Sequence, residues 1–530
     1  MLEPISTQRI KKITIYSLAF FGVAASSAFG KLPNIVIIYA DDLGFGDLSC
    51  YNSKAAYETP RLDQMAAEGI RFTDAHSPST ICSPSRYGLF SGQQIYRITG
   101  RGCGAFEGPG GPSYLKPGQL TLGGMLQEKG YHTGIFGKWH VGLTWLDKEG
   151  KRLGGGYANS LLIDYEKSTP LIDGPNKRGF DESFVTPNCP TTDPLYIYIE
   201  NGMVPVPANQ RYDRNSSPNP GGKWRWDNDL GWMAPGYEFV NADLLFYKKT
   251  KEFITKHRKE TPEKPFFAVL STQIAHAPVL PAEEFNGKTE AGPRGDFVFE
   301  LDTLVGRVLD LLKELEIDEE TLVLFNADNG AETVHVSWMR QDHNHDASGG
   351  WRGMKRDGWE GGHRVPFIVR WPGFVPQGQV SAQMTNTTDI MATLASVVGY
   401  ELPDDVATDS FDMMPAIMGR KESIREHLLT QSFRGEFQLR KGDWKYLDHK
   451  GSGGNGYEKE PMLQYKLAED EPDAPGQLYN LATDPGETQN LYFKEEEKRK
   501  ELQALLKELK ESGRSAPKGR KPLGMKGLKN

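Results

Sequence analysis

The segment Asn34-Ile-Val-Ile-Ile-Tyr-Ala40 is apolar without a break, is rich in β-branched residues, and stops abruptly at Asp41-Asp42. A strand with one wet face alternates apolar and polar residues. An unbroken apolar run needs cover on both faces, which a parallel sheet between two layers of helices supplies. Comparable runs recur at residues 266–270, 321–325 and 365–371. Helical patterns lie between them. Thr59-Pro60 is a good pair for the cap and first position of a helix running through Leu62, Met65 and Ala66 to Gly69. Leu301, Leu304, Val305, Val308, Leu311, Leu312 and Leu315 recur at helical spacing. This alternation predicts an α/β fold with a large, mainly parallel sheet flanked by helices. Ligands of such sheets bind beyond the carboxyl ends of the strands, so strand ends are where chemistry is sought.

Three flanking regions are set apart from that core. Arg9, Lys11 and Lys12 precede an apolar stretch at 13–25, which leads to the small-x-small triplet Ala28-Phe29-Gly30. That is the layout of a signal peptide, and the stretch is shorter than the roughly 20 residues that span a bilayer. Residues 1–30 are therefore expected to direct export to the periplasm or the extracellular space, or to a lysosomal or secretory route in a eukaryotic host. No stable membrane insertion is expected. Residues 31–400 read as the catalytic domain. From 401 to 511 the pattern changes to short strand-like pieces at 437–440 and 444–447, broken by glycines. A helix at about 494–511 follows, with Leu502, Leu505, Leu506 and Leu509 on one face. This predicts a smaller subdomain of antiparallel strands with one packing helix. Residues 512–530 carry six basic and no acidic side chains and read as a flexible tail. The balance of 62 basic and 70 acidic residues, net −8, leaves no general footprint for nucleic acid. Four cysteines, none in a C-x-x-C pair, exclude a disulfide scaffold.

Asp41 and Asp42 follow the first strand, and Asp328 and Asn329 follow another. Three carboxylates and an amide form an all-oxygen set, which suits Ca²⁺, or less well Mg²⁺, rather than zinc. Read alone, the same residues could simply cap the helices that follow.

Cys82-Ser83-Pro84-Ser85-Arg86 resembles the C-S-P-S-R segment of the formylglycine-dependent sulfatases, in the alkaline phosphatase superfamily. Three further segments are similar to stretches of that family and occur in its order. They are Gly137-Lys138-Trp139-His140-Val-Gly142, Glu360-Gly-Gly-His-Arg-Val-Pro366 leading to Trp371-Pro-Gly373, and Leu478-Tyr-Asn-Leu with Asp484-Pro-Gly-Glu487. The resemblance implies an alkaline-phosphatase-like fold and sulfate-ester hydrolysis. It implies oxidation of Cys82 to formylglycine by dedicated modification machinery, the hydrate of the aldehyde then serving as nucleophile. It further implies Asp41, Asp42, Asp328 and Asn329 as cation ligands, with residue 82 as another. Arg86 is expected to hold the hydrated residue 82. Lys138 and His140 sit two apart at a strand end, so alternation would turn both to one site; the family assigns His140 as a base. His276, in an H-x-P segment, is expected to assist the leaving group, and Lys355 to bind sulfate.

A sulfated carbohydrate is the expected substrate, supported by Trp224, Trp226 and Trp232 among glycines and basic residues. Two other readings stay open on sequence alone. One is a phosphomonoester or phosphonate monoester hydrolase on the same scaffold; the other is a catalytically silent sulfoglycan-binding protein. Asp342-His-Asn-His-Asp346 is a further candidate, either for a second metal or for a loop near the pocket.

Overall fold

The Asn34–Ala40 strand lies at the middle of a nine-stranded sheet, between the Thr321–Ala327 and Phe266–Ser271 strands. The computed structural model describes residues 31–528 apart from 101–110, 112, 155–156, 213–230 and 421–422. The signal segment, Trp224, Trp226 and Cys103 thus lie outside the described residues.

Both neighbours pair with the central strand in parallel, Ile37 standing opposite Val269 on one side and Leu324 on the other. Beyond Phe266–Ser271 come the parallel strands His132–Lys138 and Glu182–Thr186. Beyond Thr321–Ala327, Phe367–Arg370 runs antiparallel. Ile70–Phe72 and Gln379–Ser381 complete that edge, and Ile199–Glu200 the other. The apolar run expected at 365–371 therefore contributes a shorter strand, because Val365 gives its N–H to the Ala75 carbonyl outside the main sheet.

The unbroken apolar pattern is explained by two cores. Ile35, Ile37 and Tyr39 face one of them, which includes Ile390, Met391 and Leu394 of the Asp389–Val398 helix. Val36, Ile38 and Ala40 face the other, with Phe246 and Phe253 of the Ala242–Glu260 helix and Leu301, Leu304 and Val308 of the Gly292–Glu314 helix. Burying each large aliphatic side chain is worth about 1.5–3 kcal/mol, so one polar residue at the middle of this strand would be costly on either face.

The strands His427–Gln431, Phe437–Lys441, Trp444–Leu447 and Gln477–Asn480 form a separate antiparallel sheet in sequence order. The Glu496–Glu511 helix covers it, burying Leu502, Leu506 and Leu509 in one cluster with Leu439, Tyr446 and Leu478. Leu505 is only partly buried there. A charged cluster joins this sheet to the main body: Lys445 Nζ lies 3.1 Å from Glu360 and 3.0 Å from Glu487, all three fully buried.

The tail departs from expectation. Arg520 donates to the carbonyls of Val406, Ala407 and Ser410, Arg514 donates to that of Asp404, and Leu528 is buried. These arginines satisfy main-chain acceptors of the 404–410 loop instead of standing free in water, which fixes the segment against the body. No described helix is long and apolar enough to cross a membrane.

Candidate active site

Four adjacent strands deliver their following residues to one place. Asn34–Ala40 leads into Asp41-Asp42, Thr321–Ala327 into Asp328-Asn329, His132–Lys138 ends on Lys138, and Phe266–Ser271 leads to His276. The close approach depends on Gly137, whose φ is +121° and whose Cβ, if present, would lie 1.8 Å from the Ser271 carbonyl oxygen. Cys82 opens the helix Cys82–Ser91, so its side chain stands at the positive end of the helix dipole.

The oxygen set assembles in full. Asp41 Oδ2 accepts from Lys138 Nζ at 2.6 Å, and Asp42 Oδ2 from Lys355 Nζ at 2.7 Å. Asp42 Oδ1 accepts from Asn329 Nδ2 at 2.7 Å, and Asp328 Oδ1 from the Asp42 N–H at 3.1 Å. Two buried oxygens, Asp41 Oδ1 and Asn329 Oδ1, have no hydrogen-bond partner. Burying such an acceptor unsatisfied costs about 1–3 kcal/mol. Carboxylate oxygens of Asp41 and Asp328 and the Cys82 sulfur all lie within 4.8 Å of one another. Burial works against ionising Asp41, but the Lys138 ammonium beside it wins and holds the carboxyl well below its usual range. Asp328 goes the other way: burial and the Asp41 charge push it up, despite Arg86. Crowded carboxylates with unpartnered oxygens fit a hard divalent cation, and the donors are oxygens throughout.

Each sequence-predicted residue reaches this place, though not always as expected. Arg86 is fully buried with its donors engaged: Nε and Nη2 on Asp328 Oδ2 at 3.0 and 2.8 Å, and Nη1 on Ser271 Oγ at 2.6 Å and the Lys138 carbonyl at 3.2 Å. It clamps the Asp328 carboxylate beside residue 82. His140 does not arrive by strand alternation, because the strand ends at Lys138. A left-handed turn at His140, φ +52°, brings its ring in. His140 Nε2 lies 3.8 Å from Asp193 Oδ2, and Nδ1 lies 3.9 Å from Cys189 Sγ. His276 Nδ1 is 2.5 Å from the Ala277 carbonyl oxygen, and Nε2 is 3.7 Å from Asp42 Oδ2. Lys355 is also 3.5 Å from Glu332, which Arg356 grips at 2.9 Å.

Cys189 and Glu332 are the additions. Neither sits in a patterned segment, and only the fold brings them to the site. The Cys189 and Cys82 sulfurs lie within 4.8 Å of each other, and this neighbour together with the Lys138 charge outweighs burial and holds the Cys82 thiol well below its usual range. Residues 342–346 form no second metal centre among the described residues. His345 lies 3.1 Å from Asp47, which pairs with Arg294, and Asp346 accepts from Arg340 at 2.8 Å. Trp232 lies in a short strand, Gly231–Met233, partly buried against the core.

The family model described as Sulfatase matches residues 33–400, and the one described as N-sulphoglucosamine sulphohydrolase, C-terminal, matches residues 350–514. An N-acetylgalactosamine-6-O-sulfatase of Bacteroides thetaiotaomicron is 32% identical over 496 residues, 90% of this chain and 93% of its own length. Human arylsulfatase A is 32% identical over 88% of this chain and 85% of its own. A solved structure from work on the metabolism of multiple glycosaminoglycans by Bacteroides thetaiotaomicron superposes with a TM-score of 0.75. It is 28% identical and covers 91% of this chain and 100% of its own.

Proposed function

The chain belongs to the sulfatase family and is a sulfuric ester hydrolase, and from that premise we propose an exported enzyme that removes sulfate from a sulfated carbohydrate, using formylglycine at residue 82 and a bound calcium ion. The observation that carries the reading is one of charge. Cys82 stands within 4.8 Å of the Asp41 and Asp328 carboxylates, and the buried ammonium groups of Lys138 and Lys355 lie on Asp41 and Asp42. Asp41, Asp42, Asp328 and Asn329 would hold Ca²⁺, with Mg²⁺ less suited to so many protein oxygens, and residue 82 would add a ligand. With both groups in place, the cation would supply Lewis-acid polarisation and the hydrated aldehyde a nucleophile.

The chain's own side chains do the rest. Lys138 and Lys355 carry fixed positive charge to the place where an anionic ester must sit, with burial strengthening their pull. Arg86 keeps Asp328 in register. The Ala277 carbonyl takes up the Nδ1 side of His276, which leaves Nε2 to carry a proton to the departing alcohol oxygen. His140, with Asp193 near Nε2, is placed to take a proton at residue 82 so that sulfate leaves. The carbohydrate assignment rests on the 32% identical relative named as an N-acetylgalactosamine-6-O-sulfatase, and the export assignment on the layout of the first thirty residues.

The test is a desulfation screen of the chain made together with formylglycine-generating machinery. The panel holds defined sulfated sugars, nitrophenyl sulfate and phosphate esters. Sulfate release from at least one sugar is expected. His276→Ala should slow sugar sulfates by about 10²–10⁴-fold and nitrophenyl sulfate, whose leaving group needs little protonation, far less. Hydrolysis of phosphate esters with no sulfate released would overturn the reading. Equal losses on both leaving groups would rule out His276 as the proton donor.

A further inference from the structure

Cys189 has no part in the sulfate-ester chemistry, yet its thiol stands among the side chains that do. Its sulfur lies 3.9 Å from His140 Nδ1 and 3.7 Å from His276 Nε2. The Cys82 and Cys189 sulfurs and a His140 ring nitrogen lie within 4.8 Å of one another, and all three side chains are buried. A tetrahedral zinc ion with bonds of about 2.3 Å to sulfur and about 2.0 Å to nitrogen sets its sulfur and nitrogen ligands about 3.5 Å apart. The Cys189–His140 spacing needs only a few tenths of an ångström of closure, and the two spacings to Cys82, within 4.8 Å, close by about 1 Å at most.

One of the two rings is also held in the form a metal needs. His276 Nδ1 faces the Ala277 carbonyl at 2.5 Å, which favours the proton on Nδ1 and leaves the Nε2 lone pair toward Cys189. His140 turns Nδ1 toward Cys189 at 3.9 Å, and its Nε2 lies 3.8 Å from the Asp193 carboxylate. A carbonyl or carboxylate behind the far nitrogen is the usual arrangement around metal-binding histidines.

We propose that chains in which Cys82 remains a thiol bind a soft divalent cation, Zn²⁺, through Cys82, Cys189 and His140, with His276 facing the fourth position. Each thiol loses its proton to solvent as its bond to zinc forms, so binding one ion releases two protons. The two thiolates balance the charge of the ion. The donors are sulfur and nitrogen, so this site differs in chemistry from the oxygen site, with which it shares residue 82. Conversion of Cys82 removes one thiolate, so zinc distinguishes unconverted from converted chains and occupies the place where an ester would enter. The site does not depend on which ester the enzyme hydrolyses.

The test uses the full chain made without the modifying machinery, with Cys82 shown by mass to be a free thiol. Titration with Co²⁺ should give one ion per chain and an intense near-ultraviolet thiolate-to-cobalt band that Zn²⁺ abolishes. Cys189→Ser and His140→Ala should each weaken Zn²⁺ binding at least about 10-fold, with circular dichroism showing that the variants fold. The double variant Cys50→Ser/Cys103→Ser should bind as the unaltered chain does, and converted enzyme should lose most of the band. Unchanged zinc affinity in Cys189→Ser would overturn the site. So would a Cys82–Cys189 disulfide that forms in air, with oxygen as the oxidant, as fast with Zn²⁺ bound as without it.

Discussion

Replacing Lys445 with methionine removes the cation from the junction between the main body and the C-terminal sheet. Its ammonium lies 3.1 Å from Glu360 Oε1 and 3.0 Å from Glu487 Oε1. After the change, Glu360 keeps Arg364 at 2.7 Å and Arg440 at 3.5 Å, so it stays ionised. Glu487 keeps the Glu360 backbone N–H at 2.7 Å. Burial already pushes Glu487 up, with the Glu360 charge adding to it, and without Lys445 only the Glu360 backbone N–H still opposes them. The carboxyl then takes a proton. From an ordinary value of 4.5, protonation at pH 7 costs about 3.4 kcal/mol at about 1.4 kcal/mol per unit. That agrees with the roughly 3–5 kcal/mol expected for breaking a buried pair.

The sign follows from linkage. The folded value of Glu487 in the variant lies above the unfolded one. The loss is therefore small below about pH 4.5 and grows by about 1.4 kcal/mol per unit as pH rises. Methionine fills the volume of the lysine stem, so little packing is lost. Urea unfolding at pH 5, 6 and 7 should show a deficit that stays under about 1 kcal/mol at the lowest pH and grows toward, and no further than, about 3.4 kcal/mol at the highest. Lys445→Met/Glu487→Gln should recover most of it. A deficit that does not change with pH, or one that the second substitution leaves untouched, would refute the reasoning.

Asp302 accepts the N–H groups of Arg61 and Leu62 at the start of the Pro60–Ala67 helix, at 3.0 and 2.8 Å, and burial pushes its carboxyl up to about 7. Its neutral form contributes stability that is present below about pH 4 and lost as pH rises through about 7. Asp302→Asn should therefore gain on the unaltered chain by up to about 4 kcal/mol between pH 4 and 8, read from melting temperatures across that range. Gly137→Ala would drive a methyl group into the Ser271 carbonyl at a positive φ. It should cost at least about 2 kcal/mol in chemical denaturation and lower sulfate release, since Lys138 follows directly; a stability change under about 1 kcal/mol would contradict the close approach.

Much of the architecture was legible in local pattern. The unbroken run at 34–40 requires cover on both faces, and that demand alone implies helices above and below a parallel sheet. Parallel strands put their carboxyl ends on one edge, so Asp41, Asp42, Asp328 and Asn329 could be grouped from the chain alone. The cysteine motif and its companion segments, through resemblance, extended the grouping to Arg86, Lys138, His140, His276 and Lys355. The covered face of the Glu496–Glu511 helix was likewise visible in the spacing of its leucines.

Pattern reports only what a residue's near neighbours along the chain require, and the rest of the site depends on partners far away in sequence. The motif places Arg86 near residue 82, while Asp328 and Ser271, which take up its donors, are set beside it by the order of strands. His140 lies two residues from Lys138, yet a left-handed turn past the strand end, not alternation, aims its ring. Nothing around Cys189 marks it in the chain; its place between two histidines exists only because the segment after Glu182–Thr186 crosses the ends of neighbouring strands. The arginines after 512 look solvated in sequence, since charge favours water unless acceptors wait in the fold, and the carbonyls of the 404–410 loop are those acceptors. Composition and periodicity determined the layers and the edge where chemistry gathers, while the tertiary structure decided which atoms meet there, because hydrogen bonds and ion pairs between distant segments leave no periodic trace in the chain.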